Sequence, residues 1–415
     1  MRRVVITGMG ALTPIGNNTQ AYLEGLRNGV SGANPITYFD TSSYKTQFAC
    51  ELKNFNPEDF IDRKELRRQD RFSVYAMVAA DEAIQMSGLD LEKLDMDRTG
   101  VIFASGIGGM KTLEEEIEAH AHREGVPRFN PFLIPKMIID IAPGLISMKY
   151  GFRGINYSTV SACASSTHAI MAAYDAIRIG RNDVVVTGGA EAAVTQVGLG
   201  GFSAMKALST RNDDYLTASR PFDAERDGFV LGEGAGAFVL EELEHALKRG
   251  ATIYGEVVGA AATADAYHIT APHPEGLGAA KVMELALEEA GMNPEDIDYI
   301  NVHGTSTPLG DVSEIKAIQQ VFGEAAYKLN ISSTKSMTGH LLGAAGAIEA
   351  IAGVLAINNN FVPPTINHFT DDPEIDPKLN LTFNEAQEKE VNAMLSNTFG
   401  FGGHNASVIV RKYKG

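Results

Sequence analysis

SACASSTHAIMAAYDAIRIG, residues 161–180, runs from the end of a short apolar segment into a helix rich in small residues and sets the thiol of Cys163 at the junction. A second stretch has the same layout. INYSTVSACASS (155–166) precedes the first Ala-rich helix, and LNISSTKSMTGH (329–340) precedes another, so that His340 opens the run GAAGAIEAIAGVLAI (343–357). Two strand-to-helix transitions, each bearing a reactive side chain, point to an internal duplication. Buried Ala/Gly helices also recur for packing reasons, and the local pattern by itself leaves that reading open.

The rest of the chain alternates in the same way. VVITGMG (4–10), VIFASGIGG (101–109) and DVVVTGGAEA (183–192) read as strands between helical segments, which predicts an α/β architecture. GAFVLEELEHALKRG (236–250) reads as a strand running into a charged helix ended by Gly250, and a new strand begins within IYGEVVGAAATADAYH (253–268). A division at 250 follows, giving halves 1–250 and 251–415. No Pro-rich or Ser-rich linker separates them, so they are expected to pack closely, with the chemistry at their junction.

Composition narrows the function classes. With 415 residues and 44% hydrophobic composition the chain can bury a large core. Gly8, Gly10, Pro14 and Gly16 interrupt any signal-peptide core in MRRVVITGMGALTPIG, and residues 343–357 carry Glu349 and fall short of the roughly 20 residues that span a bilayer. The expectation is a cytoplasmic protein with no membrane insertion. Cys50 and Cys163 are the two cysteines, too few for a disulfide framework. A net charge of −17 argues against broad nucleic-acid binding. One basic stretch, RKELRRQDR (63–71), reads first as a solvated helix face.

The candidate chemistry rests on three side chains. A helix N-terminus supplies partial positive charge and free N–H donors, which favour a thiolate at Cys163. His303, in NVHGTSTPLGD (301–311), emerges where the apolar strand IDYINV (297–302) ends, and His340 stands before its helix. One thiol and two imidazoles form a nucleophile and proton-transfer set. Their wide separation in sequence supplies no compact metal-ligand motif, so no catalytic metal is expected. SNTFGFGGHNAS (396–407) adds a glycine loop whose N–H groups can serve an oxyanion if it meets Cys163.

VSACASS around Cys163, VHGTSTPLGD around His303, SSTKSMTGH around His340 and NTFGFGGHN near the end together resemble the β-ketoacyl-acyl-carrier-protein synthases. ALSTRND, SRPFDAERDGFVLGEGAG and DAYHITAP extend the resemblance over essentially the whole chain, nearest to the elongating, synthase II type. The resemblance implies a thiolase-like fold, with duplicated α/β halves in a five-layer αβαβα arrangement, usually a homodimer. It implies a decarboxylative Claisen condensation: an acyl chain is held on Cys163, malonyl-carrier loses CO2, and the product is a β-ketoacyl-carrier two carbons longer. Cys163 and Phe401 then offer the oxyanion N–H groups, His303 and His340 stabilise the enolate, and Lys335 organises the site through Asp311 or Glu314.

By the same resemblance Thr270, Thr305 and Thr307 meet the phosphopantetheine arm. Ile107, Phe132 and Phe202 line the acyl pocket, with Phe401 as its gate. Asn301, Glu349, Ser396 and Asn397 surround a structural cation, or else form an internal hydrogen-bond network. Lys64, Arg67, Arg68, Arg128 and Lys206 become docking residues for an acidic carrier protein. No cofactor is expected beyond the phosphopantetheine that arrives on the carrier. The competing readings are an elongating synthase of other chain preference or pathway and a noncatalytic chain-length partner. The three reactive side chains speak against the second, and His340, where initiating synthases carry asparagine, speaks against that type and against a thiolase.

Overall fold

The computed structural model describes residues 1–123 and 126–415. Among these, ten strands share one sheet: β1 Val4–Leu12, β2 Thr99–Ala104, β3 Asn156–Tyr157, β4 Val184–Glu191, β5 Gly234–Glu242, β6 Gly255–Ala264, β7 Tyr299–Asn301, β8 Asn330–Ser332, β9 Ala393–Gly400 and β10 His404–Arg411. Their spatial order is β8-β7-β9-β10-β6-β1-β5-β4-β2-β3. Outward from the centre the two halves repeat one another. β1–β5–β4 pair antiparallel and β4–β2–β3 parallel; β6–β10–β9 pair antiparallel and β9–β7–β8 parallel. The duplication suggested by the two junctions is thus present in the topology, and β3 and β8 occupy equivalent places.

Three residue pairs join the halves: Val4, Val5 and Ile6 lie opposite Val257, Glu256 and Gly255. The ladder is irregular on both sides of this seam, between Ile6 and Gly8 on β1 and between Ile409 and Val410 on β10. Such bulges bend strands and raise twist, and the sheet folds back on itself here. All nine residues of β1 are buried, which accounts for an apolar run in place of an alternating one.

Helices complete five layers. On one outside, α1 (Arg71–Ser87) packs on β1, β5 and β4, and α2 (Ile141–Tyr150) packs on β2. In the middle, α3 (Ser165–Arg178) touches β4 and β2 on one side and β10 and β6 on the other. On the far outside, α4 (Leu277–Ala290) lies on β6 and β10, with α5 (Pro308–Phe322) against it. The second middle helix, α6 (Ala345–Asn359), touches β9 and β7, then β5 and β4. The stretch Leu342–Asn359 is long and apolar enough to cross a membrane, yet 89% of it is buried inside the protein.

Small residues in the middle helices have a geometric cause. A Cβ on Gly346 of α6 would stand 2.0 Å from Thr167 Oγ1 of α3, and one on Gly236 of β5 would stand 2.9 Å from the Ile348 nitrogen. Backbones therefore touch where bulkier residues would hold the layers apart. Gly346→Ala forces Thr167 to move and is expected to destabilise the protein by about 1–3 kcal/mol through overpacking. A chemical-denaturation midpoint measures this, and an unchanged midpoint would show that the layers can separate freely.

Candidate active site

The turn after β3 holds Cys163 in a constrained setting. Ala162 has φ of 51°, a left-handed conformation that a non-glycine residue adopts at a cost of about 1–2 kcal/mol. Ser165 secures it by accepting the Ser161 N–H at 2.9 Å and donating to the Ala162 carbonyl at 2.6 Å. Thr159 Oγ1 donates to the Ser165 carbonyl at 2.8 Å, and Ser161 Oγ meets His168 Nδ1 at 2.6 Å. From the other half, Gly400 presses on this turn: a Cβ there would stand 2.7 Å from the Ser161 oxygen and 3.1 Å from the Cys163 nitrogen. Its missing side chain brings the Phe401 N–H close enough to the Cys163 sulfur to favour the thiolate.

Both imidazoles come from the second half. His303 follows β7; its N–H and that of Gly304 donate to the two oxygens of Glu314 on α5 at 2.9 and 2.8 Å. His340 is clamped through its backbone to the segment before β5, its N–H on the Val230 oxygen at 2.7 Å and its carbonyl accepting from Gly232 at 2.9 Å. The His340 Nε2 lies 3.0 Å from Cys163 Sγ across 177 residues of sequence. The His303 and His340 rings stand 5.3 Å apart at 86°, with Phe229 against His340 and Phe399 against His303. One donor atom from each of Cys163, His303 and His340 lies within 4.8 Å of the others. Sequence separation was therefore no guide to the compactness of this set.

Burial sets the charge states. It pushes both imidazoles well below their usual value, and the Lys335 ammonium adds to this at each. It pushes the Cys163 thiol up to about 12, Glu191 adding to the rise while Lys335 and the Phe401 N–H oppose it. The expectation of a standing thiolate at the helix end is corrected accordingly. The resting pair is a thiol beside a neutral imidazole, one proton transfer from a nucleophile.

Lys335 also differs from expectation. Its ammonium, 1% exposed, takes Glu349 of α6 as its ion-pair partner in place of Asp311 or Glu314, and reaches Glu314 only through its charge. Asp311 instead faces Arg226 at 3.3 Å and accepts the Phe222 N–H at 3.0 Å, while Glu314 holds the His303 loop. The compensation that a carboxylate in apolar α6 requires comes from a lysine fourteen residues earlier. Asn301 Oδ1, Ser396 Oγ and Glu349 Oε2 itself are buried without hydrogen-bond partners among the described residues. Asn397 is different, because its Oδ1 accepts from Ser407 Oγ at 2.6 Å and its Nδ2 reaches Glu314 at 3.3 Å.

A cavity of about 350 Å³ opens onto the thiol, lined by Cys163, His303, His340, Thr270, Thr305 and Thr307 together with Phe202 and Phe401. Thr305 Oγ1 and Thr307 Oγ1 are 3.0 Å apart. Ile107 packs in the cluster that contains Cys163, Leu342 and Phe202. Phe132 lies outside it: exposed at the surface, with the Arg68 guanidinium 5.3 Å from its ring centre, it lines no part of this cavity in the single chain. Residues 63–71 form no continuous helix; Arg63–Leu66 makes one turn and α1 begins at Arg71. Lys64, Arg67, Arg68 and Arg128 are exposed, and Lys206 stands at the cavity mouth.

Sequence reading missed Glu191, at the end of β4. It is fully buried and accepts from Ser105 Oγ and from the N–H groups of Gly106, Ile107 and Gly343, tying the Ile107 loop to the turn after His340. A carboxylate between two glycine-bearing segments was the available signal. Phe229, whose ring braces His340, was visible only as one apolar residue in SRPFDAERDGFVLGEGAG.

Residues 1–246 match the family model described as "Beta-ketoacyl synthase, N-terminal domain", and residues 254–369 match "Beta-ketoacyl synthase, C-terminal domain". The chain belongs to the β-ketoacyl synthase family. The 3-oxoacyl-[acyl-carrier-protein] synthase 2 of Staphylococcus aureus is 52% identical over 417 residues, covering 100% of this chain and 99% of the relative. A β-ketoacyl synthase from Burkholderia phymatum superposes with a TM-score of 0.91 at 35% identity, over 100% of both chains. A ketosynthase bound to a hexaketide and in complex with its type II PKS acyl-carrier protein superposes with a TM-score of 0.90 at 33% identity, again over 100% of both. The duplicated five-layer arrangement of this family member is the thiolase-like fold.

Burial raises Glu314 from the usual 4.5 of its carboxyl to about 7, although the Gly304 and His303 N–H groups and the Lys335 ammonium pull it back. The folded state therefore holds the proton more tightly than the unfolded chain. The stability this contributes is complete below about pH 4.5 and is lost as pH rises through about 7. Glu314→Gln is expected to remove a slope worth on the order of 2 kcal/mol across that window. Denaturant unfolding at a series of pH values measures it; an identical slope in the variant would place the titration elsewhere.

Proposed function

We infer that this synthase performs decarboxylative Claisen condensation in fatty-acid elongation, extending an acyl chain on Cys163 by two carbons from malonyl-acyl-carrier protein. The approach of Cys163 Sγ to His340 Nε2 at 3.0 Å, with His303 completing the set at the floor of a cavity, carries this reading. As the Cys163 sulfur attacks the acyl-carrier thioester, its proton passes to His340; the carbon–sulfur bond to the carrier then breaks, and His340 returns the proton to the departing sulfur, so that the carrier leaves as a thiol and the imidazole is neutral again. The N–H groups of Cys163 and Phe401 receive the oxyanion, a contribution of about 2.7–4 kcal/mol per donor in comparable sites.

Malonyl-carrier then loses CO2, and its thioester oxygen gains the charge of an enolate. Neutral imidazoles suit this step, because an uncharged ring N–H donates to the oxygen without a prior proton loss. His303 and His340 fill that role together, and Lys335 adds positive charge from behind. The enolate carbon attacks the acyl carbonyl, and the Cys163 sulfur departs. Thr305 and Thr307, with Thr270 across the opening, hydrogen-bond the phosphopantetheine arm, which is the one prosthetic group the reaction uses. Phe202 and Ile107 contact the acyl chain, and Phe401 gates it.

The partners in this reading are acyl- and malonyl-carrier proteins and a second copy of the chain. Lys64, Arg67, Arg68, Arg128 and Lys206 give a chain of net charge −17 a local basic surface for an acidic carrier. The edge strand β3 leaves Asn156 and Tyr157 exposed beside Met148 and Val160, which are 69% and 59% exposed, and this open apolar edge supports a homodimer. Asn301 Oδ1, Ser396 Oγ and Glu349 Oε2 fit a structural cation as unpartnered oxygens, and it would anchor Glu349 opposite Lys335. A cytoplasmic location completes the proposal.

Intact-mass measurement with an acyl-carrier series, followed by malonyl-carrier, is expected to show acylation of Cys163 and then a two-carbon extension. Cys163→Ala is expected to lose both; condensation by the pure variant would overturn the reading. Charge reversal at Arg67 and Arg68 is expected to weaken carrier association at least tenfold at low salt, measured by titration calorimetry.

A further inference from the structure

We propose that Cys163, His303 and His340 also form a capture site for a thiophilic divalent cation, Zn²⁺ above all, whose binding silences the enzyme. The donors, one thiol sulfur and one nitrogen from each of two imidazoles, lie within 4.8 Å of one another, with the sulfur 3.0 Å from His340 Nε2. A tetrahedral Zn²⁺, with bonds of about 2.3 Å to sulfur and about 2.0–2.1 Å to nitrogen, holds its ligand atoms roughly 3.5 Å apart. Side-chain shifts of about 1 Å convert one arrangement into the other. The adjoining cavity of about 350 Å³ leaves room for the ion and a water as fourth ligand.

Two further observations favour a cation here. The Nδ1 atoms of His303 and His340 are buried and make no hydrogen bond among the described residues, so neither ring is fixed through that atom, and the contact of His340 Nε2 with Cys163 Sγ gives way to a shared metal. Three buried carboxylates also surround the set. Glu314 holds the His303 loop, Glu191 holds the turn after His340, and Glu349 faces Lys335, the one buried ammonium beside them. A dication entering this ring meets buried carboxyl groups, which its own charge drives toward their ionised form. The ligand set selects the metal: sulfur and imidazole suit Zn²⁺ and Co²⁺, whereas Mg²⁺ and Ca²⁺ require oxygen ligands.

On binding, the Cys163 S–H bond breaks, a sulfur–metal bond forms and the proton leaves to buffer, with no change of oxidation state. The sulfur lone pair that would attack a thioester is then committed to the metal. That inhibitory consequence rests on the reading of Cys163 as the acyl carrier. The binding itself does not.

Co²⁺ titrated into the full-length, chelator-treated protein reports sulfur ligation through a sulfur-to-cobalt charge-transfer band. The expected result is one equivalent per chain, displaced by Zn²⁺, retained in Cys50→Ala, absent in Cys163→Ser and at least tenfold weaker in His303→Ala or His340→Ala. No band, or a band that survives Cys163→Ser, would overturn the proposal. Should that variant fail to fold, the unaltered protein still decides. Zn²⁺ is expected to slow iodoacetamide alkylation of Cys163 at least tenfold, reversibly with chelator, and an unchanged rate would overturn the site. The two readings fail separately. A protein that binds Co²⁺ but never acylates refutes the condensation reading, and one that acylates normally but binds no metal refutes this one.

Discussion

Backbone contact between the two halves is the constraint on which the site depends. The thiol belongs to the first half, and both imidazoles and the Phe401 loop belong to the second. They meet because glycines let main chains touch: Gly400 against the Cys163 turn, and Gly343, whose Cβ would stand 2.1 Å from the Gly106 nitrogen. A side chain at either place pushes the halves apart by more than a 3.0 Å hydrogen bond can stretch. Catalytic geometry is here a by-product of close packing, because the interior has almost no slack in which the distance between Sγ and Nε2 could drift.

Much of this was legible in the sequence. The reactive residues announced themselves by being set at strand ends, and the two Ala/Gly helices hinted at a duplication, whereas the layered arrangement was implied only by the family resemblance. Depth was not legible. A helix end looks the same in sequence whether it faces water or lies buried, so the Cys163 thiol was read as a thiolate, and desolvation reverses that. Pairing was not legible either. Lys335 has several carboxylates within reach of the same motif, and the choice of Glu349 follows from the path of α6. Phe132 shows a related limit: aromatic residues are common in pockets and on surfaces alike, and in the single chain this one lies at the surface, away from the cavity.

Charge inside the protein is arranged around the same contact. Lys335 lowers both imidazoles and opposes the rise of the thiol, so one buried ammonium acts on three reactive groups at once. Its own burial is tolerable because Glu349 stands against it in a layer that admits no water. Among the described residues Asn301 Oδ1, Ser396 Oγ and Glu349 Oε2 are left without partners in this buried region.

The central strand has a consequence for how the chain is made. β1 is completed within the first twelve residues, but its partners are β5, residues 234–242, and β6, residues 255–264. During synthesis, nine residues destined for full burial wait without a sheet until β5 has been translated. Pairing across such a separation is slow, and the exposed segment invites aggregation in the interval. The seam that unites the finished molecule is thus the last part of the first half to assemble, and of the neighbours of β1 the helix α1 is made well before either partner strand.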